Sequence, residues 1–228
     1  MKFFDSLIRE TETLLASSSK KGFLRTFPWK DAEQNQMILL RDTAFEVEGV
    51  GFNLVTSAEI PDGILLVGDD LDSIRENRQF ARISLVQIQD GSNDQAEYNL
   101  IKKIDYVKYH IFPEGFMMRS TSRSYLEAVR ISKTAIQNGI NFQRIGSLMI
   151  DKYHQIPAVK GVTVIFVTAP NVDYVQFNKI AEKSHAVTET LNHVMNTVVF
   201  DCDTCNLKVI CDEVEGMKSL HFSQSSGQ

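Results

Sequence analysis

Cys202, Cys205 and Cys211 fall within ten residues of one another and are the only cysteines in the chain. Two thiolates separated by two residues can grip one metal centre from a tight turn, and a third reaches it after a short excursion. Sulfur ligands select iron–sulfur clusters, zinc or Cu(I) over hard cations. A closed site needs a fourth ligand, and Asp201, Asp212, His221, a solvent molecule or a cysteine of a partner chain can supply it. From Asp201 onward there are five carboxylates and two lysines. Such surroundings disfavour bare thiolates, and a bound cation reverses that penalty. The alternative is three reduced, partly buried cysteines holding zinc or nothing. An odd, tightly packed count is a poor disulfide framework and suits a reducing cytosol.

A second set of residues is cationic. Arg123 and Arg130 lie two helical turns apart, with Arg119 just upstream. A row of guanidiniums on one helix face can hold an anionic ligand such as a phosphate or a nucleotide-bearing cofactor. Glu127, four residues after Arg123 and three before Arg130, is spaced for surface ion pairing, and a solvated face laced with those pairs is the favoured reading. Lys102, Lys103 and Lys108 scatter around their helix and read as surface, as does His193 on a later one. No Gly-x-Ser-x-Gly elbow, His-Glu-x-x-His pair or Walker loop appears, so hydrolase chemistry has no support. The pair Gly49 and Gly51 is too little for a nucleotide fingerprint. Asp69, Asp70 and Asp72 read as an acidic turn rather than a calcium loop.

Several elements must position these groups. An apolar stripe of Phe4, Leu7, Ile8, Leu14 and Leu15 predicts a helix over Phe3 to Leu15. Short β-prone runs from Ala44 to Gly68, broken by Gly49, Gly51, Pro61 and Gly63, predict strands and turns, and Ile83 to Ile88 alternates as a strand. A helix is expected from Gln95 to Ile111, capped by Asp94, with Leu100, Ile104, Val107 and Ile111 inside. A second begins at Ser124, where Ser-x-x-Glu127 matches a capping box, and stops at Gly139. Asn141 caps a third, running toward His154. Val162 to Val167 reads as a buried strand, and a long helix over Val172 to Asn196 buries Phe177, Ile180, Ser184, Val187, Leu191, Val194 and Met195.

The alternation predicts an α/β (mixed α+β) fold, a β-sheet flanked by helices with a C-terminal Cys-rich segment. Residues 1–45 form an N-terminal helix and linker, 46–198 the α/β domain, 199–222 the Cys-rich segment and 223–228 a tail too polar to order itself. The 228 residues are 43% hydrophobic and carry a net charge of −5. That is ample for a core and argues against a nucleic-acid surface. The longest apolar run, Val162 to Ala169, is far below the ~20 residues that span a bilayer. Charged Asp5, Arg9, Glu10 and Glu12 interrupt any signal-peptide stretch, so a cytoplasmic location is expected.

The segment from Ser124 to Lys133 (SYLEAVRISK), followed by Arg144 to Gly146 (RIG) and Lys152 to Gln155 (KYHQ), resembles the middle region of acetyl-CoA synthase. That protein is the beta subunit of the CO dehydrogenase/acetyl-CoA synthase complex of anaerobes. The order that follows is also similar: a Val-rich strand, a long helix, then clustered cysteines. The likeness runs from about Val50 to Cys211 and is strongest between Ser124 and Val167. It implies an iron–sulfur site of the [4Fe-4S] type, with Cys202, Cys205 and Cys211 resembling the first three cubane ligands across a shorter final gap. The family's fourth cubane cysteine and its nickel-binding Cys-Gly-Cys are absent. Independent acetyl-CoA synthesis is therefore not expected, and an accessory or electron-transfer role is. The resemblance also implies coenzyme A contact, with Arg130 matching an arginine position and Ala128 standing where the family has an aromatic residue. Implied partners are CO dehydrogenase/acetyl-CoA synthase and corrinoid proteins, with a homo-oligomer also compatible.

Overall fold

The computed structural model describes residues 2–89, 94–120, 123–196, 207–214 and 216–217. The chain begins with helix α1 (Asp5–Leu15), whose Phe4, Leu7, Ile8, Thr11 and Leu15 side is buried as expected. Seven strands follow among helices: β1 (Lys21–Phe23), β2 (Thr43–Thr56), β3 (Gly63–Val67), β4 (Arg78–Ile88), β5 (Phe116–Ser120), β6 (Leu126–Ser132) and β7 (Val159–Val167). The helices between and after them are α2 (Asp94–Val107), α3 (Lys133–Gln137), α4 (Phe142–Tyr153), α5 (Tyr174–Asn196) and α6 (Lys208–Glu213).

All seven strands join one sheet in the order β1-β3-β7-β4-β2-β6-β5. The pairs β3/β7 and β2/β4 are parallel, and the other four are antiparallel. This is the mixed α+β architecture expected from the alternation of elements. From Val50 to Thr56 every residue of β2 is buried, so both faces of the sheet centre are covered. Helix α4 covers one face. There Phe142 stacks on Phe166 with centroids 4.4 Å apart, and Phe80 completes the aromatic layer at 6.0 and 6.3 Å. Gly146 lets α4 come close, since a β-carbon there would lie 2.5 Å from Ile64 Cγ1. Helices α1 and α5 pack together against β2, while α2 touches β2, α4 and α5. Phe177, Ile180, Ser184, Val187, Leu191 and Val194 of α5 are buried as predicted, and Met195 is half-buried.

The third predicted helix is α4, with Asn141 Oδ1 accepting from Arg144 N at 2.9 Å. The second is a correction. Ser124 does not cap a helix: Leu126–Ser132 is strand β6, central enough to pair with both β2 and β5. Only the last turn of the expected helix exists, as α3, where Ser132 Oγ accepts from Ala135 N and Gly139 follows with φ +79°. Leu126, Val129 and Ile131 favour a strand, and the Ser-x-x-Glu spacing matched a capping box without forming one.

Candidate functional site

Strand register gathers a polar cluster inside the sheet. Gly51 pairs with Arg82 and Asn53 with Ser84 across β2/β4, and Gly49 pairs with Glu127 across β2/β6. Alternate residues share a face, so Gly51, Asn53, Arg82, Ser84 and Glu127 all point to the α4 side. Arg82 and Glu127 are 1% and 2% exposed and meet fork to fork, Nε–Oε2 at 3.1 Å and Nη2–Oε1 at 2.6 Å. Arg82 Nη1 donates to Ser84 Oγ at 3.1 Å. Tyr153 of α4 donates to Asn53 Oδ1 at 2.7 Å and lies 3.2 Å from Ser84 Oγ. Asn53 Nδ2 in turn donates to the Ile104 carbonyl of α2 at 3.4 Å.

Burial alone would lower the Arg82 pKa, but the charge and hydrogen bonds of Glu127 outweigh it and hold the guanidinium protonated above its ordinary value. Burial pushes the Tyr153 phenol up, so it stays neutral. Both Glu127 oxygens are engaged by Arg82, so this carboxylate is a fixed charge rather than a general base. Glu127, expected on a solvated helix face, is thus a core residue. The sequence offered no signal for this, because its partner stands 45 residues away on another strand.

The two arginines of the expected stripe have separate places. Arg123, with its side chain 60% exposed, donates to Tyr125 Oη at 2.6 Å and to Glu182 at 3.1 Å. Arg130, 17% exposed, binds Glu46 at 2.6 Å and the Ile38 carbonyl at 2.8 Å, tying the segment before β2 to β6. They share no helix face, since the segment carrying Arg130 is a strand. Lys108 is a further correction: read as surface, it is 5% exposed and reaches Asp105 Oδ1 at 3.0 Å. The acidic turn holds, and Asp70 of that turn accepts from Phe142 N at 2.9 Å, capping α4 alongside Asn141.

Cys202, Cys205, Asp201 and His221 lie outside the described residues. Cys211 is buried on α6, which packs against α5, and it joins the main core with Met217. Asp212 beside it is exposed. Among the described residues no group of three or more His, Cys, Asp or Glu side chains is placed to hold a metal ion. The donor set itself, three soft sulfurs, fits an iron–sulfur cluster or zinc and would not fit magnesium or calcium.

Two cavities qualify what the surface can do. Ser124 Oγ lies 3.2 Å from His185 Nδ1, but the adjoining space is about 20 Å³. That holds a single water and no substrate. A larger cleft, about 520 Å³, has Trp29 and Arg144 in its wall. Trp29 Nε1 donates to the Glu114 carbonyl at 2.7 Å, and the Arg144 guanidinium lies over the indole at 4.4 Å. Sequence reading did not single out Trp29, and met Arg144 only within the family resemblance. Trp29 is the one tryptophan of the chain, and its lone position in a polar linker was the available signal. Among the described residues no helix is long and apolar enough to cross a membrane.

No curated protein matches the chain. The family described as CO dehydrogenase/acetyl-CoA synthase complex beta subunit matches it over residues 35–172. This span runs from the segment before β2 to the connection just before α5, so it contains all of the sheet except β1. It also contains Arg82, Glu127 and Tyr153, the cluster at the sheet centre. More than half of the 228 residues lie in the match, and the chain belongs to the CO dehydrogenase/acetyl-CoA synthase complex beta subunit family.

Proposed function

We propose that this chain is an accessory member of that family in anaerobic one-carbon and acetyl-CoA metabolism. In this reading Cys202, Cys205 and Cys211 hold an iron–sulfur cluster of the [4Fe-4S] type. The observation that carries the reading is the sequence order: a family match ending at residue 172, just after the last strand of the sheet, followed by a three-thiol donor set at 202–211. When bound, such a cluster supplies one-electron transfer. The chain's own part is to fix the donors. Cys211 is set in the core on a short helix braced by α5, and Cys202 and Cys205 have the spacing of a tight two-thiol grip. A non-cysteine group or a partner supplies the fourth ligand, and CO dehydrogenase/acetyl-CoA synthase or corrinoid proteins are the proposed partners. With three cysteines in all and no Cys-Gly-Cys, the chain does not build a dinickel site by itself and does not synthesise acetyl-CoA alone. Coenzyme A contact through Arg123 and Arg130 is not part of this proposal, since Glu182 and Glu46 already engage those guanidiniums.

A second reading is favoured by one observation, the burial of Cys211 within the apolar core. A sulfur packed there serves equally as a small hydrophobe, and the chain is then a structural or interaction module with a zinc-bound or empty cysteine segment. Anaerobic reconstitution with iron and sulfide separates the two. The cluster reading expects a brown protein with a broad visible absorption, matched by bound iron and sulfide and bleached in Cys205→Ala. A colourless protein without iron or sulfide rejects it, and a zinc assay then decides between a zinc-bound and an empty segment.

A further inference from the structure

The segment leading into β2 is firmly fastened, yet it turns apolar side chains outward. Ile38 anchors it: its side chain is buried, its N–H donates to Met117 Sδ at 3.3 Å, and its carbonyl accepts from Arg130 Nη1 at 2.8 Å. Gln36 Oε1 accepts from Gly115 N at 3.0 Å, and the Leu39 carbonyl accepts from Thr43 Oγ1 at 3.0 Å. Among these fastenings Met37 is 83% exposed, Leu39 44% and Leu40 74%. An extended chain alternates its side chains, so Ile38 points in while Met37 and Leu39 point out. The fastenings run through Ile38 and through backbone and polar groups, and polar residues at the outward positions would serve them equally well. Single exposed apolar residues are ordinary, but a contiguous group beside a groove is the kind of patch that meets a partner.

That groove, about 450 Å³, is lined by Met37, Leu39 and Leu40 together with Met117 and Arg119 of β5 and Arg130 of β6. Met117 pairs with Arg130 and Arg119 with Ala128, whereas Ser120 pairs with Glu127. The groove therefore lies on the sheet face opposite Glu127. No Asp or Glu lines it. Glu46, outside the lining, engages Arg130, and exposed Arg119 is served by water, so the free protein lacks no charge. The lining still discriminates: it attracts a carboxylate arriving at Arg119 and repels an ammonium. On a chain of net charge −5 this is a local exception.

The exposures decide the size of the ligand. A small-molecule pocket buries most of its ligand's surface, and Met37 and Leu40 stand too far out to enclose one. A protein segment laid across them covers both, and the flexible methionine side chains adapt to its shape. We propose that this groove docks a short acidic amphipathic segment of another protein. Its aliphatic side chains rest on Met37, Leu39, Leu40 and Met117, and one carboxylate meets Arg119. The groove shares no residue with the cysteine segment.

The probe is a labelled synthetic helix-forming peptide of Leu and Glu, titrated into the full chain and followed by fluorescence anisotropy and NMR. Its counterpart has Lys in place of Glu. The expected result is saturable binding of the Leu/Glu peptide that shifts the methyl signals of Met37, Leu39 and Leu40, with the Leu/Lys peptide weaker. The overall negative charge of the chain favours the Leu/Lys peptide, so the opposite preference reports the groove itself. Arg119→Glu turns an exposed ion pair into repulsion and weakens the Leu/Glu peptide roughly three- to tenfold, while strengthening the other. Met37→Ser combined with Leu40→Ser removes two apolar anchors and weakens both peptides about tenfold or more. All three positions are exposed, so the variants are expected to keep the fold, and an unchanged thermal transition checks it. Absence of saturation, tighter binding of the Leu/Lys peptide, shifts confined to other parts of the molecule, or affinities unchanged in these variants would each overturn the proposal. Self-association in sedimentation velocity that the Met37 and Leu40 double variant abolishes would assign the face to a second copy and overturn it as well.

Discussion

A β-carbon at Gly51 would stand 1.9 Å from Glu127 Cδ and 2.0 Å from each of its carboxylate oxygens. The missing side chain of β2 is therefore the space in which the buried carboxylate of β6 sits. A flexible side chain could ordinarily swing aside, but Arg82 holds this one by two hydrogen bonds at 3.1 and 2.6 Å. Moving it leaves a guanidinium uncompensated in the core. Gly51→Ala is expected to destabilise the protein by about 3 kcal/mol, near the lower end for breaking a buried pair. Urea denaturation followed by Trp29 fluorescence measures it. A variant within about 0.5 kcal/mol of the parent, the range of ordinary surface substitutions, would show that Glu127 is not confined as described.

The same pair gives an asymmetric double-mutant result. Removing one partner, as in Glu127→Met, leaves Arg82 charged and buried and costs about 3–5 kcal/mol. Removing both, with Arg82→Met added, replaces the pair by apolar groups of similar volume, which is often neutral or stabilising. Ser84 then loses the Arg82 donor but keeps Tyr153 at 3.2 Å. The double variant is expected to regain most of the loss of Glu127→Met. If the two losses simply added, the pair would not be the coupled unit seen in the geometry.

What the sequence revealed depended on how local the cause was. The stripes of α1 and α5, the β-branched run of β7 and the Asn141 cap of α4 act within a few residues, and all were readable. Strand β6 was not. Its Ser-x-x-Glu spacing imitates a capping box, and Glu127 looks like a surface charge until Arg82 is placed next to it by the β2/β4 and β2/β6 registers. Strand β4 was read only from Ile83, and it starts at Arg78 with Arg82 inside it. Gly49 and Gly51 were set aside as a feeble nucleotide fingerprint. Their use is in packing: a β-carbon at Gly49 would meet the Phe80 carbonyl oxygen at 1.7 Å. Lys108 shows the same failure in reverse, a lysine at a helix end that tertiary structure turns inward.

Asp70 tests the balance between burial and hydrogen bonding at the α4 start. Its Oδ1 accepts from Leu71 N at 2.7 Å and from Phe142 N at 2.9 Å. Burial nevertheless pushes its carboxyl above the ordinary 3.8, outweighing those two donors, with Asp72 adding to the rise and Lys21 opposing it. A folded pKa above the unfolded one means that the folded chain binds the proton more tightly. The associated stability is fully present below the unfolded pKa and is lost as the pH rises through the folded value. At neutral pH the ionised Asp70 therefore carries a cost. Asparagine keeps the accepting Oδ1 and removes the charge, so Asp70→Asn is expected to be at least as stable as the parent at neutral pH. Its advantage should shrink as the pH falls through the raised folded value and be gone below about 4, the ordinary carboxyl range, where the parent is protonated in both states. Thermal unfolding of both proteins across that range measures the difference. An Asp70→Asn variant less stable at neutral pH would mean that the two backbone donors, favouring the anion at the helix start, outweigh burial.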